Sequence, residues 1–435
     1  MTLNTSDNNS PTLSGTSPAK KMHPLMWVPS AYFTMGIPFA LVIWVTGTMF
    51  KDLGHSDGEI TMTIASISIA WSLKPFWAAF LDMWKTKKFF VLCMEFLMAG
   101  LLAIMAFCLP LPNYFQVVVG VMWIMAFASA SQDICVDGIY LTELDKPSQA
   151  KYIGIQGVGW NVGRIFSTAA VVAVAGMLGQ GEKSSWAIAL LFAGGVMLVM
   201  GLYHYFVLPK GASTTRPESG KEVMNTFWDT MVDFFKKPQI IGMLTFVFLF
   251  RLAEGLLLME GPLFMQAPLE EGGLGLSLMQ KSIIDGTIST TVSLAGGILG
   301  GWFISKHGLK RSLFFMAICV NVPNLCYVYL SYTVTPEAPL SLWTIGSLVT
   351  IEKFGYSFGF VSNMLYMMQQ ISPGKYHMAH YAFCTALMNL VLVPTQAASG
   401  LIADHVGYKV YFLIVMAATI PSFIAAWFAP FPQEE

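Results

Sequence analysis

Residues 186–208 read WAIALLFAGGVMLVMGLYHYFVL, and residues 209–217, PKGASTTRP, follow them. The first run has no Asp, Glu, Lys or Arg. As a helix it is long enough to cross the ~30 Å hydrocarbon core of a bilayer. The second run, bounded by prolines, opens a polar connection. Working outward, the same pattern recurs. Apolar runs precede it near 27–50, 60–81, 89–109, 114–141 and 152–178. Six more follow near 239–266, 277–304, 312–332, 340–370, 377–403 and 409–430. The sequence therefore predicts an all-α integral membrane protein of about twelve transmembrane helices, six on each side of one long connection.

Composition points the same way. The 435 residues are 55% hydrophobic and only 11% charged, whereas soluble domains run near ~25% charged. A net charge of −1 offers nothing to a nucleic-acid backbone. The six cysteines all fall in apolar segments without C-x-x-C spacing and read as small buried hydrophobes. No H-E-x-x-H metal motif or G-x-x-x-x-G-K-[ST] phosphate loop occurs, and the two G-x-S-x-G strings, at 54–58 and 355–359, lie between apolar runs and inside one, not on the strand-to-helix turn a nucleophile elbow needs. A membrane enzyme is thus disfavoured, no cofactor or metal is expected, and work must be drawn from a gradient or from the solute itself.

The chain divides into a disordered cytoplasmic tail (1–25), an N-terminal six-helix bundle (26–208), a linker (209–238) and a C-terminal six-helix bundle (239–431). The tail is rich in Ser, Thr, Asn and Pro; its apolar run comes too late for a cleavable signal. In the linker, Met224, Phe227, Trp228, Met231, Phe234 and Phe235 recur at helical spacing beside Asp229, Asp233, Lys236 and Lys237. This predicts an amphipathic helix, lying on the membrane surface or packed on the protein's own cytoplasmic face. With the N-terminus inside, sixteen Lys and Arg lie on the cytoplasmic side and four outside, which puts both termini in the cytoplasm. For a bacterial chain that membrane is the inner one.

The halves carry matching punctuation. Lys87-Lys88 after the second span and Lys310-Arg311 after the eighth are 223 residues apart; Pro147 and Pro373 are 226 apart. Two pseudo-symmetric halves joined by a long loop are a transporter architecture.

These features resemble the major facilitator superfamily. Its charged loop signature survives as Asp82, Lys87 and Lys88 in the first half and as Gly301, Gly308, Lys310 and Arg311 in the second. Within it, the chain is similar to the muropeptide permease and acetyl-CoA transporter group. The likeness rests on Trp71-Ser72-Leu73-Lys74-Pro75-Phe76-Trp77, Ser131-Gln132-Asp133-Ile134-Cys135-Val136-Asp137-Gly138 and Phe250-Arg251-Leu252-Ala253-Glu254. It continues with Glu352, Gly355 and Gly359, then His380-Tyr381-Ala382 and Ser399-Gly400-Leu401-Ile402-Ala403-Asp404. The resemblance implies the two-bundle facilitator fold and a cavity role for Glu352.

Ionisable groups at membrane depth are costly and face a cavity or a partner. Asp133 and Asp137, with Gln132 beside them, lie at i and i+4 on one helix face. Mutual repulsion favours keeping a proton between the two carboxylates. They are candidates for proton or substrate contact, although one of them could instead pair with a cation. Arg251 and Glu254, at i and i+3, suit an ion pair bracing the seventh span. Glu260 precedes Gly261-Pro262, where that helix can break and free backbone groups for ligand. Glu352 and Lys353, being adjacent, should diverge and not pair. Lys281 and Asp285 should be interfacial. Gln156, Trp160, Asn161 and Arg164 recur at helical spacing, and Gly159 and Gly163 form a small-xxx-small face for another helix. Trp160 could stack on a sugar ring. Asn363, Tyr366 and His380 complete the cavity candidates. Lys74, Asp82, Lys87, Lys88, Lys310 and Arg311 form the candidate gating loops.

The expected function is secondary transport by alternating access: a monomer, coupled to protons, importing a small polar solute. The favoured cargo is a glycan fragment such as an amino-sugar disaccharide or muropeptide. Other cargoes in the same fold remain open, among them a siderophore, a CoA thioester or an exported drug.

Overall fold

The computed structural model describes residues 22–74, 77, 81, 86–211, 220–374 and 377–433. The first half contains α1 (Pro24–Asp52), α2 (Asp57–Ser72), α3 (Lys87–Cys108) and α4 (Tyr114–Glu143). It ends with α5 (residues 146–178) and α6 (Lys183–Val207). The linker helix α7 covers Gly220–Phe235. The second half contains α8 (Ile240–Gln266), α9 (Leu278–His307) and α10 (Leu309–Thr333). α11 spans residues 342–371, α12 residues 377–406, and α13 residues 408–427. Among the described residues, nine helical stretches are long and apolar enough to cross a membrane, and one of these, His380–Trp427, holds two spans. Gly407, with φ 73°, turns the chain between them. α2 is described over 16 residues only, and α11 carries Glu352, Lys353 and Asn363.

Local chemistry fixes the helix starts. Ser56 with Glu59, and Ser277 with Gln280, form reciprocal capping boxes at α2 and α9. Thr86, Asp145 and Ser341 cap α3, α5 and α11 through their side-chain oxygens.

Within the first half, α1 and α5 cross in close contact. A Cβ at Gly36 would stand 2.4 Å from the Trp160 carbonyl oxygen, and one at Gly163 would stand 2.2 Å from that of Phe33. Gly159 meets Pro29 in the same way. The small-residue face expected on α5 thus receives α1.

Since α1 begins, α13 ends and α7 joins at one end of the bundle, that end is the linker face and the opposite one the far face. Hydrogen bonds between the halves gather at the far face. Gly58 N–H donates to Asp404 Oδ2 (2.7 Å), and Gly400 N–H to Thr61 Oγ1 (3.2 Å). Tyr408 O–H donates to the Asp57 carboxylate. Gln266 Nε2 donates to the Thr48 carbonyl (3.0 Å). The halves are closed there and part toward the linker face around a cavity.

Three expectations change. α8 runs unbroken through Gly261 and Pro262 and is interrupted at Arg251 instead (φ −102°, ψ 7°). The Arg251 side chain is tied to the following turn, so the backbone gives there; the proline is absorbed, as happens in membrane helices with close neighbours. Lys281 is 2% exposed, not interfacial. Its ammonium donates to Thr48 Oγ1 (2.9 Å) and Gln266 Oε1 (3.0 Å) across the closed face. Of the two readings of the linker helix, packing on the protein's own face is the one seen: Phe234 is fully buried against Phe383 of α12 (4.9 Å between rings), while Val232 is exposed. Asp82 lies outside the described residues.

Gly163→Leu should destabilise the fold by at least about 1–3 kcal/mol through overpacking against Phe33. Gly120→Ala, with open space at its Cβ, should stay within about 0.5 kcal/mol of the parent. Unfolding in mixed detergent micelles, followed by tryptophan fluorescence, checks both.

Candidate functional site

A cavity of about 460 Å³ lies between the halves, within the usual size range of small-molecule sites. One wall belongs to the first half: Phe39 of α1, Trp71 and Lys74 at the end of α2, Asp133 and Asp137 of α4, and Trp160 of α5. The other is α12, with Tyr381, Thr385 and Asn389 one turn apart.

Asp133 and Asp137 do share the cavity, as their spacing requires. Each has a different partner. The Lys74 ammonium pairs with Asp133, and both remain partly open, at 27% and 17% side-chain exposure. Tyr32 O–H donates to Asp137 Oδ1 (2.6 Å). Lys74 therefore sits in the cavity and not in a gating loop. Phe39 bridges the two indoles, with ring centroids 5.1 Å from Trp71 and 5.7 Å from Trp160. Charge and aromatic surface thus face one space.

Gln132 points the other way, into the first half. Its amide donates to Thr34 Oγ1 (3.2 Å) and Glu95 Oε1 (3.0 Å). Glu95 Oε1 is also 2.7 Å from His204 Nδ1, and His204 Nε2 is 3.0 Å from Ser30 Oγ. Glu95, Gln132 and His204 are all fully buried. Neither Glu95 nor His204 was singled out from sequence; a carboxylate and an imidazole lying alone in apolar spans were the available signal.

A second polar group occupies the other half. Arg251 pairs with Glu254, its guanidinium lies 4.7 Å from the Phe360 ring centroid, and Tyr356 O–H donates to Glu254 Oε1 (2.7 Å). Glu352 lies 3.1 Å from Lys353, so the adjacent residues do pair. A lysine stem is long enough to curl around its own helix, and the buried carboxylate gives it reason to. Glu254, Glu352, Lys353 and Tyr356 border a void of about 20 Å³, room for about one water. Arg164 reaches from α5 toward this group: its guanidinium stacks on Trp44 (4.6 Å), with Asp285 and Tyr356 the charged and phenolic groups facing it.

Several candidates lie outside the cavity. The Asn161 amide bonds back to the Gly157 carbonyl of its own helix (2.9 Å). Gln156 is half-buried on the same helix. Asn363 is buried near Met388, and Tyr366 is buried against Phe246 and bonded to the Pro430 carbonyl. Their polar tips satisfy core packing in the second half. His380 lies beneath α7, 3.2 Å from the Thr230 carbonyl and 3.5 Å from Asp233. Glu260 is at the closed far face. Lys87 is buried beneath Gly138. Lys88, Lys310 and Arg311 lie at the linker face, the last two exposed. Asp82 is outside the described residues.

The sequence matches the model of the Major Facilitator Superfamily over residues 30–383. The chain belongs to this superfamily. It is 20% identical to the anhydromuropeptide permease of Escherichia coli K12, over 90% of this chain and 77% of that one. It is 21% identical to AmpG 4 of Rickettsia conorii, named as a transporter, over 89% and 92% of the two chains. Among solved structures, a D-xylose-proton symporter superposes with a TM-score of 0.70 at 13% identity, covering 94% of this chain and 98% of that one. At that identity the likeness shows the fold. The chain is a multi-pass membrane transporter of the facilitator type.

Arg251→Met, which leaves the Glu254 carboxylate buried without its cation, should cost about 3–5 kcal/mol. The double change Arg251→Met with Glu254→Leu should recover most of that loss, as read by detergent unfolding. Equal instability of the single and double variants would show that the pair is not what holds this part of α8.

Proposed function

We propose that this chain is a proton-coupled symporter that imports a small glycan fragment, of the amino-sugar disaccharide or muropeptide class, by alternating access. The linker face is the cytoplasmic one on the distribution of Lys and Arg, so the closed far face looks outward and the conformation is inward-facing. The domain boundaries follow from the same division, with the first bundle over 26–208 and the second over 239–431.

The observation that carries the reading is the cavity wall of Lys74, Asp133 and Asp137, the last held from behind by Tyr32, beside the Trp71–Phe39–Trp160 aromatic row. A sugar ring presents an apolar face that an indole covers, and hydroxyl or N-acetyl groups that Thr385 and Asn389 can meet. A cargo carboxylate can displace Asp133 from Lys74. Asp133 then needs a proton or another partner, because a bare carboxylate in an enclosed site is costly. Cargo and proton binding are thereby linked through one lysine. The named relatives support the cargo class: two of them carry muropeptide permease or AmpG names.

Uptake of an anhydro-muropeptide disaccharide into proteoliposomes, with an inward proton gradient, tests the reading. Asp133→Asn should abolish gradient-driven accumulation while leaving cargo exchange across the membrane measurable. Trp160→Ala should weaken cargo binding by about tenfold, the equivalent of ~1.4 kcal/mol. Transport indifferent to the proton gradient would overturn the coupling, and failure of the disaccharide to bind would overturn the cargo.

A further inference from the structure

Glu260 is fully buried in α8. Among the described residues, no N–H or O–H reaches either of its carboxylate oxygens. The group facing it at hydrogen-bonding range is another carboxylate, that of Asp57 at the start of α2. The two belong to opposite halves, and they meet where those halves close.

The neighbouring charges are accounted for without Glu260. Lys51 Nζ lies 2.9 Å from Asp57 Oδ1, and Tyr408 O–H donates to Asp57 Oδ2. Asp404 accepts from the Gly58 N–H, in the first turn of α2, where the helix dipole favours an anion. Glu271 stands 3.8 Å from Lys51 and is exposed. Tyr411 donates its hydroxyl to the Leu256 carbonyl (2.8 Å). Lys281, the next cation, is committed to Thr48 and Gln266. Asp57 thus has a cation and a hydroxyl beside it, and Glu260 is left with no donor. Two buried carboxylates in contact hold a proton between them, since both cannot ionise at that distance without several kcal/mol of repulsion.

A route to this pair exists. A cavity of about 580 Å³ at the far face is lined by Lys51, His55, Asp57, Glu271, Asp404 and Tyr408; His55 is held within the first half by Glu59 and Tyr114. Asp57 therefore stands between that cavity and Glu260.

We propose that Asp57 and Glu260 form a proton-binding site shared by the two halves, loaded through the far-face cavity and dismantled when the halves separate there. The inference rests on the alternating-access reading but not on any cargo. In the closed state the pair holds one proton. In the open state Glu260 meets water apart from Asp57 and gives up that proton. The closed state binds more protons, so falling pH favours closure of the far face and rising pH favours its opening. The site is distinct from the Asp133 and Asp137 carboxylates of the central cavity.

Spin labels at Ser184 and Glu337, exposed positions on the far-face loops of opposite halves, would report opening as an inter-label distance. The full chain, with native cysteines replaced, is measured in lipid nanodiscs without solute from about pH 5.5 to about pH 8.5. The closed-to-open ratio should fall as pH rises, by up to about tenfold per pH unit for one proton. Glu260→Gln supplies an amide donor to Asp57 without a titrating proton, so it should hold the face closed and flatten the pH response. Asp57→Asn, with its amide facing Glu260, should flatten the response independently. A parent chain whose distances ignore pH, or a pH response retained in both variants, would overturn the proposal. Failure of the cargo reading would show only in the uptake assay, because no solute enters this measurement.

Discussion

A charge without a partner at bilayer depth costs several kcal/mol, and that cost organises this molecule. Its solution is mostly local to one half. Glu95 is met by His204, Gln132 and Thr34, all from the first half. Lys74 meets Asp133, and Tyr32 meets Asp137, again within the first half. Arg251, Glu254 and Tyr356 belong together to the second, as do Glu352 and Lys353. Apart from Arg164, Lys281 and the Asp57–Glu260 contact, each bundle is close to electrostatically self-contained. Separating the halves therefore strands few charges, which is the condition a rocking mechanism needs.

The packing follows the same division. Inside a bundle, helices approach until backbone meets backbone: Gly163 sits against Phe33, and Gly300 against Phe358 (2.2 Å to each carbonyl oxygen from an added Cβ). Such contacts cannot slide without clash and make each bundle a rigid body. Across the far face the joints are of another kind. They are hydrogen bonds from Tyr408, Gly58, Gly400, Gln266 and Lys281, with donors and acceptors that water can replace when the face opens. Backbone contacts at Gly286 against Thr168 and Gly400 against Asp57 give the closed face its fit. Rigidity lies within the halves, and replaceable polarity lies between them.

This explains how far the sequence could be read. Span number and the two-bundle fold were legible because apolar length is a local property. The helix-facing glycines 159 and 163 were legible because their spacing is. Asp133 and Asp137 shared a cavity because i and i+4 share a face. Partners were another matter. Nothing local says that Lys74 turns to Asp133, that Tyr32 lies over Asp137, or that Lys281 is buried between halves. Those pairings are set by packing among elements distant in sequence. The rule that adjacent residues diverge failed for Glu352 and Lys353 because it describes Cβ directions, while a lysine carries its charge on a flexible stem. Asn363, Tyr366 and His380 looked like cavity groups because they are polar within apolar spans. Polarity at depth requires a partner, and a core partner or the linker helix serves as well as a ligand.

The two walls of the central cavity differ in kind, and the difference has a mechanical meaning. The first half contributes the ionisable groups and the indoles; α12 contributes Tyr381, Thr385 and Asn389, which carry no charge at neutral pH. A solute lying between them would exchange charge with one bundle and hydrogen bonds with the other. Its binding then spans the moving boundary, whereas Lys74–Asp133 and Tyr32–Asp137 do not. On the proposed alternating-access reading such a solute would draw the linker-face ends of the halves together, and before it arrives Asp133 is paired with Lys74 and Asp137 is hydrogen-bonded by Tyr32. Closure around cargo can thus proceed without placing a bare ion in a dry interface, provided that a proton accompanies any carboxylate whose lysine the cargo takes.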